Sequence, residues 1–208
     1  MKLSPRMFFL SLLGVLTVAL AILAVMAMSL PPVQLTPAER GTERRFDVPF
    51  RLVGQDGEAL TEQSFLGKPS LYFFGFTHCP DICPTTLGAL TQWLNALGDD
   101  AKRFNVLFVS VDPERDTPAS LKDYMTMFHP QMRAATGTPE EIAAMAKTFM
   151  VYYAKVPVKA GEDPKEYMVN HSSMILLADA KGVFKGTLDA HDPDEKAIGK
   201  LKALLNGQ

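Results

Sequence analysis

The sequence predicts an α/β sandwich with a mixed central sheet, and three observations support this fold class. Of the 208 residues, 47% are hydrophobic and 21% are charged, which is typical of a globular domain. Continuous apolar runs of strand length alternate with stretches that have helical spacing. The predicted order is β-α-β-α-β-β-α without an internal repeat, which favours a sheet that carries its sites at the carboxyl ends of strands.

Residues 1–30 are predicted to form a short cytoplasmic N-terminus and a single transmembrane anchor. Residues 7–30 carry no charge, and a helix of that length would reach roughly 36 Å, enough to cross a bilayer. Lys2 and Arg6 precede the span, so the positive-inside rule exports the domain that follows. Because six residues before the span are too few for an organellar transit peptide, we expect a single-pass protein of the bacterial inner membrane, with its domain facing the periplasm. A cleaved signal peptide is the alternative, although its apolar region usually has only about 7–15 residues.

Residues 31–45 are predicted to be a linker, and residues 46–208 the folded domain. The linker contains prolines and mixed charges but has no periodic apolar face. Residues 46–52 and 58–60 flank a Gln-Asp-Gly turn signal and predict a short hairpin at the start of the domain. The apolar run at residues 71–76 then predicts a buried strand.

A helix and a second buried strand are predicted next. The helix is indicated by leucines at helical spacing and is placed to end at Gly98; these are Leu87, Leu90, Leu94 and Leu97. Residues 106–111 are continuously apolar and rich in β-branched side chains, as expected for a strand buried on both faces. Thr117-Pro118 and Thr138-Pro139 each open a further helix, because threonine caps a helix whose first position proline can occupy.

The C-terminal part is predicted to contain a strand pair and a last helix. Residues 167–177 and 183–188 have strand character and flank the turn signal Asp-Ala-Lys-Gly at residues 179–182. Asp192-Pro193 is placed to start the terminal helix.

The chain has only two cysteines, Cys79 and Cys83, and they follow directly on the strand predicted at residues 71–76. Cys83 is expected at the cap of the next helix, where backbone N–H groups and the helix dipole should lower the pKa of both thiols. Two cysteines in an exported protein first indicate one structural disulfide, but so small a loop would restrict the unfolded chain little. We therefore expect a redox-active or metal-binding pair.

Four histidines could complete a site with these sulfurs: His78, His129, His171 and His191. A lone histidine is more often solvated or hydrogen-bonded than a ligand. His171 is favoured, because in a thioredoxin-like sheet the loop that enters the strand at residues 174–177 faces the cysteine loop.

Three stretches of the sequence carry a family resemblance. They are residues 75–87 with the motif Gly-Phe-Thr-His-Cys-Pro-Asp-Ile-Cys-Pro-Thr-Thr-Leu, residues 109–118 with Val-Ser-Val-Asp-Pro-Glu-Arg-Asp-Thr-Pro, and His171-Ser172 before a strand. In this order they resemble the Sco/SenC family of copper chaperones. The similarity covers most of the chain from about residue 46 to residue 205 and includes an N-terminal anchor. Three long motifs are far more specific than the cysteine spacing alone.

The resemblance implies a thioredoxin-like fold in which copper is bound by Cys79, Cys83 and His171. It also implies delivery to the binuclear copper centre of cytochrome c oxidase subunit II, with a periplasmic copper donor or thiol reductant as a second partner. Thiol-disulfide chemistry on the acceptor's cysteines is compatible with it. Soft sulfur holds Cu(I), and the added nitrogen lets the same site accept Cu(II). Zinc would accept these donors, but structural zinc sites normally have four protein ligands.

Three other residues are expected to tune the site or its surroundings. Family members often have aspartate immediately before the ligand histidine, whereas this chain has Asn170, so a carboxylate that could tune copper affinity or redox state is absent. Asp112 and Arg115 are expected to shape the surface that meets the partner, although such a cluster is as often a solvated turn and helix cap.

A second, methionine-based copper site is a weaker alternative, at Met125, Met127, His129 and Met132.

A periplasmic enzyme without a metal role is the competing interpretation, either a thiol-disulfide oxidoreductase or a thiol peroxidase that uses Cys79 as its nucleophile. Against the reductase stand the three residues between the cysteines and the lack of a proline where such enzymes have a cis-proline. Against the peroxidase, Thr77 lies only two residues before Cys79, which does not fit a Pro-x-x-x-Thr-x-x-Cys pattern. With 21 basic and 23 acidic residues and no long block of either sign, nucleic acid is not an expected partner.

Overall fold

A computed structural model of the chain describes residues 44–156 and 167–207. Their strands are β1 (Leu52–Gly54), β2 (Ala59–Leu60), β3 (Ser70–Gly75), β4 (Asn105–Ser110), β5 (Met132–Thr136), β6 (Tyr153–Val156), β7 (Met168–His171), β8 (Ile175–Ala178) and β9 (Phe184–Leu188). Seven of them form one sheet in the order β2-β1-β5-β4-β3-β8-β9. Because β3, β4 and β5 are parallel while the outer strands pair antiparallel, the predicted mixed sheet is confirmed.

β3 lies inside the sheet and is buried along its whole length. Successive side chains of a strand point to opposite faces, so this burial shows that both faces of the sheet are covered here. β3 and β4 are parallel and in register, from the pair Ser70 and Asn105 to the pair Gly75 and Ser110. The two strands therefore end at the same edge of the sheet, which places the loop after β3 beside the loop after β4.

The described residues contain four α-helices: α1 (Ile82–Leu97), α2 (Pro118–Met125), α3 (Pro139–Phe149) and α4 (Asp194–Leu205). The side chains of Thr117 and Thr138 cap α2 and α3 as predicted, each with proline in the first turn. α1 ends before Gly98, whose φ of 58° suits a residue without a side chain. Trp93 of α1 donates its indole N–H to Asp194 of α4 at 2.8 Å, which joins these two helices.

β6 and β7 form a separate two-stranded antiparallel sheet in which Tyr153 pairs with His171. Val169 of β7 and the preceding Tyr167 are buried and belong to the main core. Only residues 172–174 separate His171 from β8 in the seven-stranded sheet. His171 therefore lies where the small sheet meets the large one.

Three strand predictions are wrong in detail. β5 was not expected, because its sequence Met-Arg-Ala-Ala-Thr lacks the apolar β-branched residues typical of a buried strand. This segment is a strand because it pairs with β1 on one side and β4 on the other. The single strand predicted at residues 167–177 is two strands, β7 and β8, in different sheets. The first hairpin was expected to begin at residue 46, but its strands pair only through Leu52 with Leu60 and Val53 with Ala59.

The predicted anchor at residues 1–30 and most of the predicted linker lie outside the described residues. Arg44 and Arg45, assigned to the linker, already contact the domain, since the Arg44 carbonyl accepts a 2.7 Å hydrogen bond from the Phe184 N–H. Within the two described ranges, no helix combines the length and apolar character needed to cross a membrane. The domain limits stay a prediction.

Candidate metal centre

Cys79 and Cys83 lie where the chain leaves β3 and enters α1. Cys83 is in the first turn of the helix, one residue inside it, and its backbone N–H donates to the Cys79 sulfur at 3.4 Å. Both are free thiols. Cys83 is completely buried, whereas 9% of Cys79 is exposed, so Cys79 is the less deeply buried residue of the pair.

The last residue of β3, Gly75, leaves the space that the inner sulfur occupies. A Cβ atom on Gly75 would lie 2.7 Å from the Cys83 sulfur and 2.7 Å from the Phe108 ring. Both distances are far inside van der Waals contact, and both neighbours are buried. The sulfur thus packs directly against the backbone of the central strand.

His171 brings a ring nitrogen to the cysteine pair. Its Nε2 lies 3.3 Å from the Cys83 sulfur, and its Nδ1 lies 2.9 Å from the Ser172 carbonyl oxygen. Because a carbonyl can only accept, Nδ1 carries the proton and Nε2 directs its lone pair toward the sulfur. The Phe76 and Phe73 rings meet the imidazole edge-on, with centroids at 5.8 and 6.2 Å. These contacts fix the orientation of the ring.

Burial sets the protonation states of these groups. Burial raises the pKa of the Cys83 thiol, and the neighbouring Cys79 raises it further against an opposing hydrogen bond with the Phe76 backbone. The expectation of a lowered pKa is thus wrong for Cys83, because desolvation outweighs the helix dipole. Burial also lowers the pKa of His171, so its imidazole is neutral at pH 7. A metal ion that binds here must displace the Cys83 proton.

The structure brings together the three donors predicted from the sequence. The ligand atoms of Cys79, Cys83 and His171 all lie within 4.8 Å of one another, although 88 positions separate Cys83 from His171. In the part of the chain that the structure describes, no further His, Cys, Asp or Glu joins this group. Two soft sulfurs and one imidazole can hold Cu(I) or Cu(II) with a coordination position left open, whereas structural zinc normally has a fourth protein ligand.

The group opens into a surface groove of about 260 Å³. Cys79 and His171 line it, together with Pro80, Ile82 and Met168. Ile82 and Met168 are exposed apolar side chains. A ligand atom of another protein could therefore approach Cys79 along an apolar wall.

A buried carboxylate holds the start of the cysteine loop. Asp116 accepts hydrogen bonds from the Thr77 N–H at 3.0 Å, the Thr77 hydroxyl at 2.5 Å and the Ser110 hydroxyl at 2.6 Å. His78 is exposed, and its Nδ1 lies 3.8 Å from the same carboxylate, so this histidine does not join the sulfurs. Neither Asp116 nor Thr77 was predicted as a site residue, because no local signal indicates a contact between residues 39 positions apart.

A second buried carboxylate, Asp112, reaches the other side of the site. It accepts from the Tyr167 hydroxyl and from Arg115 Nε, both at 2.5 Å. The Arg115 guanidinium also stacks on the Tyr167 ring at 3.8 Å from its centroid. Asp112 has 0% exposure and binds groups of its own chain, and the expectation that Asp112 and Arg115 shape a partner surface stays a prediction. Tyr167 was missed, since nothing in its local sequence indicates a long-range partner.

The remaining candidates do not enter the donor group. Asn170 is an exposed residue of β7, opposite Ala154, and lines the groove, so its tuning role stays a prediction. Met125 and Met132 are core residues, whereas Met127 is exposed, and the methionine-based site stays a prediction. His129 Nδ1 accepts from the Gln131 N–H at 3.1 Å.

Comparison with known sequences identifies the family. The sequence profile described as SCO1/SenC matches residues 38–206. Protein SCO2, mitochondrial, from Saccharomyces cerevisiae is 38% identical over 159 residues, which cover 76% of this chain and 52% of that protein. The chain thus spans about half the length of the first curated relatives it matches.

Solved structures agree with this result. Bradyrhizobium japonicum ScoI with copper bound is 44% identical with a TM-score of 0.70, covering 76% of this chain and 98% of that chain. The structure of BsSco is 26% identical with a TM-score of 0.62, covering 79% of this chain and 96% of that chain. BsSco is described as a member of the Sco family of cytochrome c oxidase assembly proteins in which a disulfide switch was identified. The thioredoxin-like fold is therefore confirmed. Since the family profile matches most of its length, the chain belongs to the SCO1/SenC family.

Proposed function

We propose that this chain is a copper chaperone that binds copper through Cys79, Cys83 and His171 and delivers it to the binuclear copper centre of cytochrome c oxidase subunit II. The observation that carries the proposal is the convergence of two sulfurs and one oriented imidazole beside an open groove. Membership of the SCO1/SenC family supports it, as does the copper bound to B. japonicum ScoI. The oxidase as acceptor is supported by the family description of BsSco.

The geometry suits copper as a cargo. The two thiolates favour Cu(I), while the imidazole supplies the borderline nitrogen that Cu(II) prefers. Binding releases the thiol protons, because thiolates are the ligands. Three protein donors leave a position for a ligand of the acceptor, and Cys79 lies at the exposed side of the group. Copper can then pass by exchange of one ligand at a time, with the buried Cys83 released last.

Thiol-disulfide exchange is a second candidate function, favoured by the position of Cys79 in the wall of the groove, next to the completely buried Cys83. The Cys79 thiolate would attack a disulfide of the acceptor, and Cys83 would then attack the mixed disulfide and release the acceptor. The acceptor cysteines gain two electrons and two protons, and Cys79 and Cys83 become a disulfide. A periplasmic thiol reductant would restore the pair. The disulfide switch described for BsSco supports this reading.

The proposal includes a location. The uncharged residues 7–30 behind Lys2 and Arg6 would anchor the chain in the bacterial inner membrane, with the domain in the periplasm. The full-length chain should then fractionate with membranes, and protease added to spheroplasts should digest its domain. Recovery of a soluble periplasmic protein that begins near residue 28 would instead indicate a cleaved signal peptide.

Replacing the imidazole separates the chaperone from the simple reductase. In the full-length chain, His171→Ala should weaken Cu(II) binding by more than about 100-fold, beyond what outer-shell changes usually cost, and Cu(I) binding much less. The cysteines should still form and reduce a disulfide. His191→Ala is the matched control, because that side chain is 82% exposed and its one partner among the described residues is Asp189 of the same turn.

Cells complete the test. Under copper limitation, His171→Ala should impair assembly of the oxidase copper centre, and added copper should ease the defect. Normal oxidase activity with His171→Ala, combined with its loss in Cys83→Ala, would favour the thiol reductase. One copper per chain retained by Cys83→Ala would overturn the ligand assignment itself.

A further inference from the structure

The loop between β4 and α2 contains two buried carboxylates, and each binds a different part of the candidate metal centre. Asp112 and Asp116 are 0% and 1% exposed. Asp116 binds Thr77, which lies two residues before Cys79, through both the backbone and the hydroxyl. Asp112 binds Tyr167, the residue directly before β7, at whose end His171 lies. One loop therefore contacts both donor segments, although they are far apart in sequence.

Side-chain contacts connect the two-stranded sheet of β6 and β7 to this loop. β6 and β7 pair with each other, and among the described strands neither one pairs with the seven-stranded sheet. At the His171 end, the Ser172 N–H donates to the Tyr152 carbonyl and the chain continues into β8. At the other end, the hydrogen bond from Tyr167 to Asp112 and the stacking of Arg115 on the Tyr167 ring connect the sheet to the loop.

The loop itself is well fixed, so it can act as a reference for both segments. The Asp112 N–H donates to the Ser110 hydroxyl at 3.1 Å, and the same hydroxyl donates to Asp116 at 2.6 Å. The N–H groups of Arg115 and Asp116 donate to the Asp112 carbonyl. Charge-assisted hydrogen bonds inside a protein are short and strong. The side-chain hydrogen bonds to Asp112 and Asp116 described above are 2.5 to 2.6 Å long, and the backbone bond from Thr77 is 3.0 Å long.

We propose that Asp112 and Asp116 are positioning residues that set the separation between the cysteine pair and His171. Asp116 fixes the cysteine loop, and Asp112 fixes the sheet that carries the imidazole. The inference rests on the proposed function, since the separation matters only if the three donors bind one copper ion. It assigns the two carboxylates different effects: loss of the Asp112 contact releases the nitrogen donor, and loss of the Asp116 contact releases the sulfurs.

The test removes one hydroxyl from each contact in the full-length chain. Tyr167→Phe keeps the ring under Arg115 but ends the bond to Asp112, and Cu(II) affinity should fall about tenfold, while Cu(I) affinity changes less than about threefold. In the copper-free chain, amide hydrogen exchange of β7 should rise about fivefold or more without a change in residues 76–81. Tyr152→Phe is the control, because Tyr152 is an exposed tyrosine beside the same sheet and should change neither quantity.

Thr77→Val is the complementary variant: it ends the hydroxyl bond to Asp116 and the 3.1 Å contact of the same hydroxyl with exposed His78, and it keeps the backbone bond to Asp116. Affinities for Cu(I) and Cu(II) should both fall by about tenfold, and exchange should rise in residues 76–81 and not in β7. Equal losses of both affinities in both variants would indicate general destabilisation and overturn the inference, as would a Cu(II) affinity of Tyr167→Phe within twofold of wild type. If the wild-type chain binds no copper, the proposed function fails, and the exchange data still decide whether the two contacts act separately.

Discussion

Replacing Gly75 with alanine tests whether the position of the Cys83 sulfur is set by the central strand. The new methyl group would lie 2.7 Å from that sulfur and 2.7 Å from a carbon of the Phe108 ring. Ordinary contact begins at 3.4 Å, so the sulfur or the strand must move by about 0.7 Å. Neither neighbour has free space, because Cys83 and Phe108 are both buried in a close-packed core.

The magnitude follows from two separate effects. Inserting a methyl group into a packed core costs about 1–3 kcal/mol, which for a domain of this size lowers Tm by roughly 2–12 °C. A displacement of about 0.7 Å also exceeds the tolerance of about 0.2 Å within which metal-ligand distances must fall. Cu(I) affinity should therefore fall by at least about tenfold, beyond any loss explained by unfolding.

The assay compares thermal unfolding of the copper-free chain with Cu(I) affinity measured by competition with a chelator. Gly88→Ala is the matched control: it lies in α1, and apart from the adjoining backbone of that helix a Cβ there would meet no atom within 4 Å. The control should be stabilised by about 0.5–1 kcal/mol, since alanine favours a helix over glycine, and its Cu(I) affinity should be unchanged. If Gly75→Ala kept wild-type affinity and Tm, the argument that the sulfur packs against this backbone would be refuted.

Two predictions concern the pH dependence of the copper-free chain. Burial lowers the pKa of His171 from 6.5, so below about pH 6.5 the unfolded chain binds a proton that the folded chain does not, and stability should decrease as the pH falls. Urea denaturation between about pH 5 and pH 7 should show a smaller decrease in His171→Ala, and equal slopes would contradict the assignment of the effect. Burial raises the pKa of Cys83 from 9.0, so above about pH 9 the unfolded chain loses a proton that the folded chain keeps, and stability should decrease as the pH rises. The same titration on the alkaline side should be flatter in Cys83→Ala; an unchanged slope would show that this thiol is not the group responsible.

The sequence was informative where local chemistry determines structure. Threonine before proline predicted the starts of α2 and α3, because the side-chain cap and the proline ring act within a few residues. The cysteine spacing after an apolar run placed the site at the end of β3. The choice of His171 needed a family resemblance as well, since no local signal distinguishes it from the other histidines.

The rest depended on contacts between distant segments. β5 is a strand because β1 and β4 flank it, and its own residues do not require that structure. The raised pKa of Cys83 follows from complete burial, which the helix position of the residue does not reveal. The bond between Tyr167 and Asp112 joins residues 55 positions apart and was equally invisible in the sequence.

The separation of 88 positions between Cys83 and His171 makes the full donor set a property of the folded chain alone. An unfolded chain can still offer its two neighbouring thiolates, but the imidazole arrives only after the two sheets have assembled. A ligand that prefers the folded state stabilises it by about 2.7 kcal/mol at one hundred times its dissociation constant. Copper that binds the two thiolates of the unfolded chain stabilises that state as well, and this contribution cancels in the free energy of unfolding. The net stabilisation then comes from the bond to the imidazole, which only the folded chain can offer. Copper should thus protect mature chains from proteolysis more strongly as Cu(II) than as Cu(I), so the oxidation state of the cargo would influence how long its carrier survives.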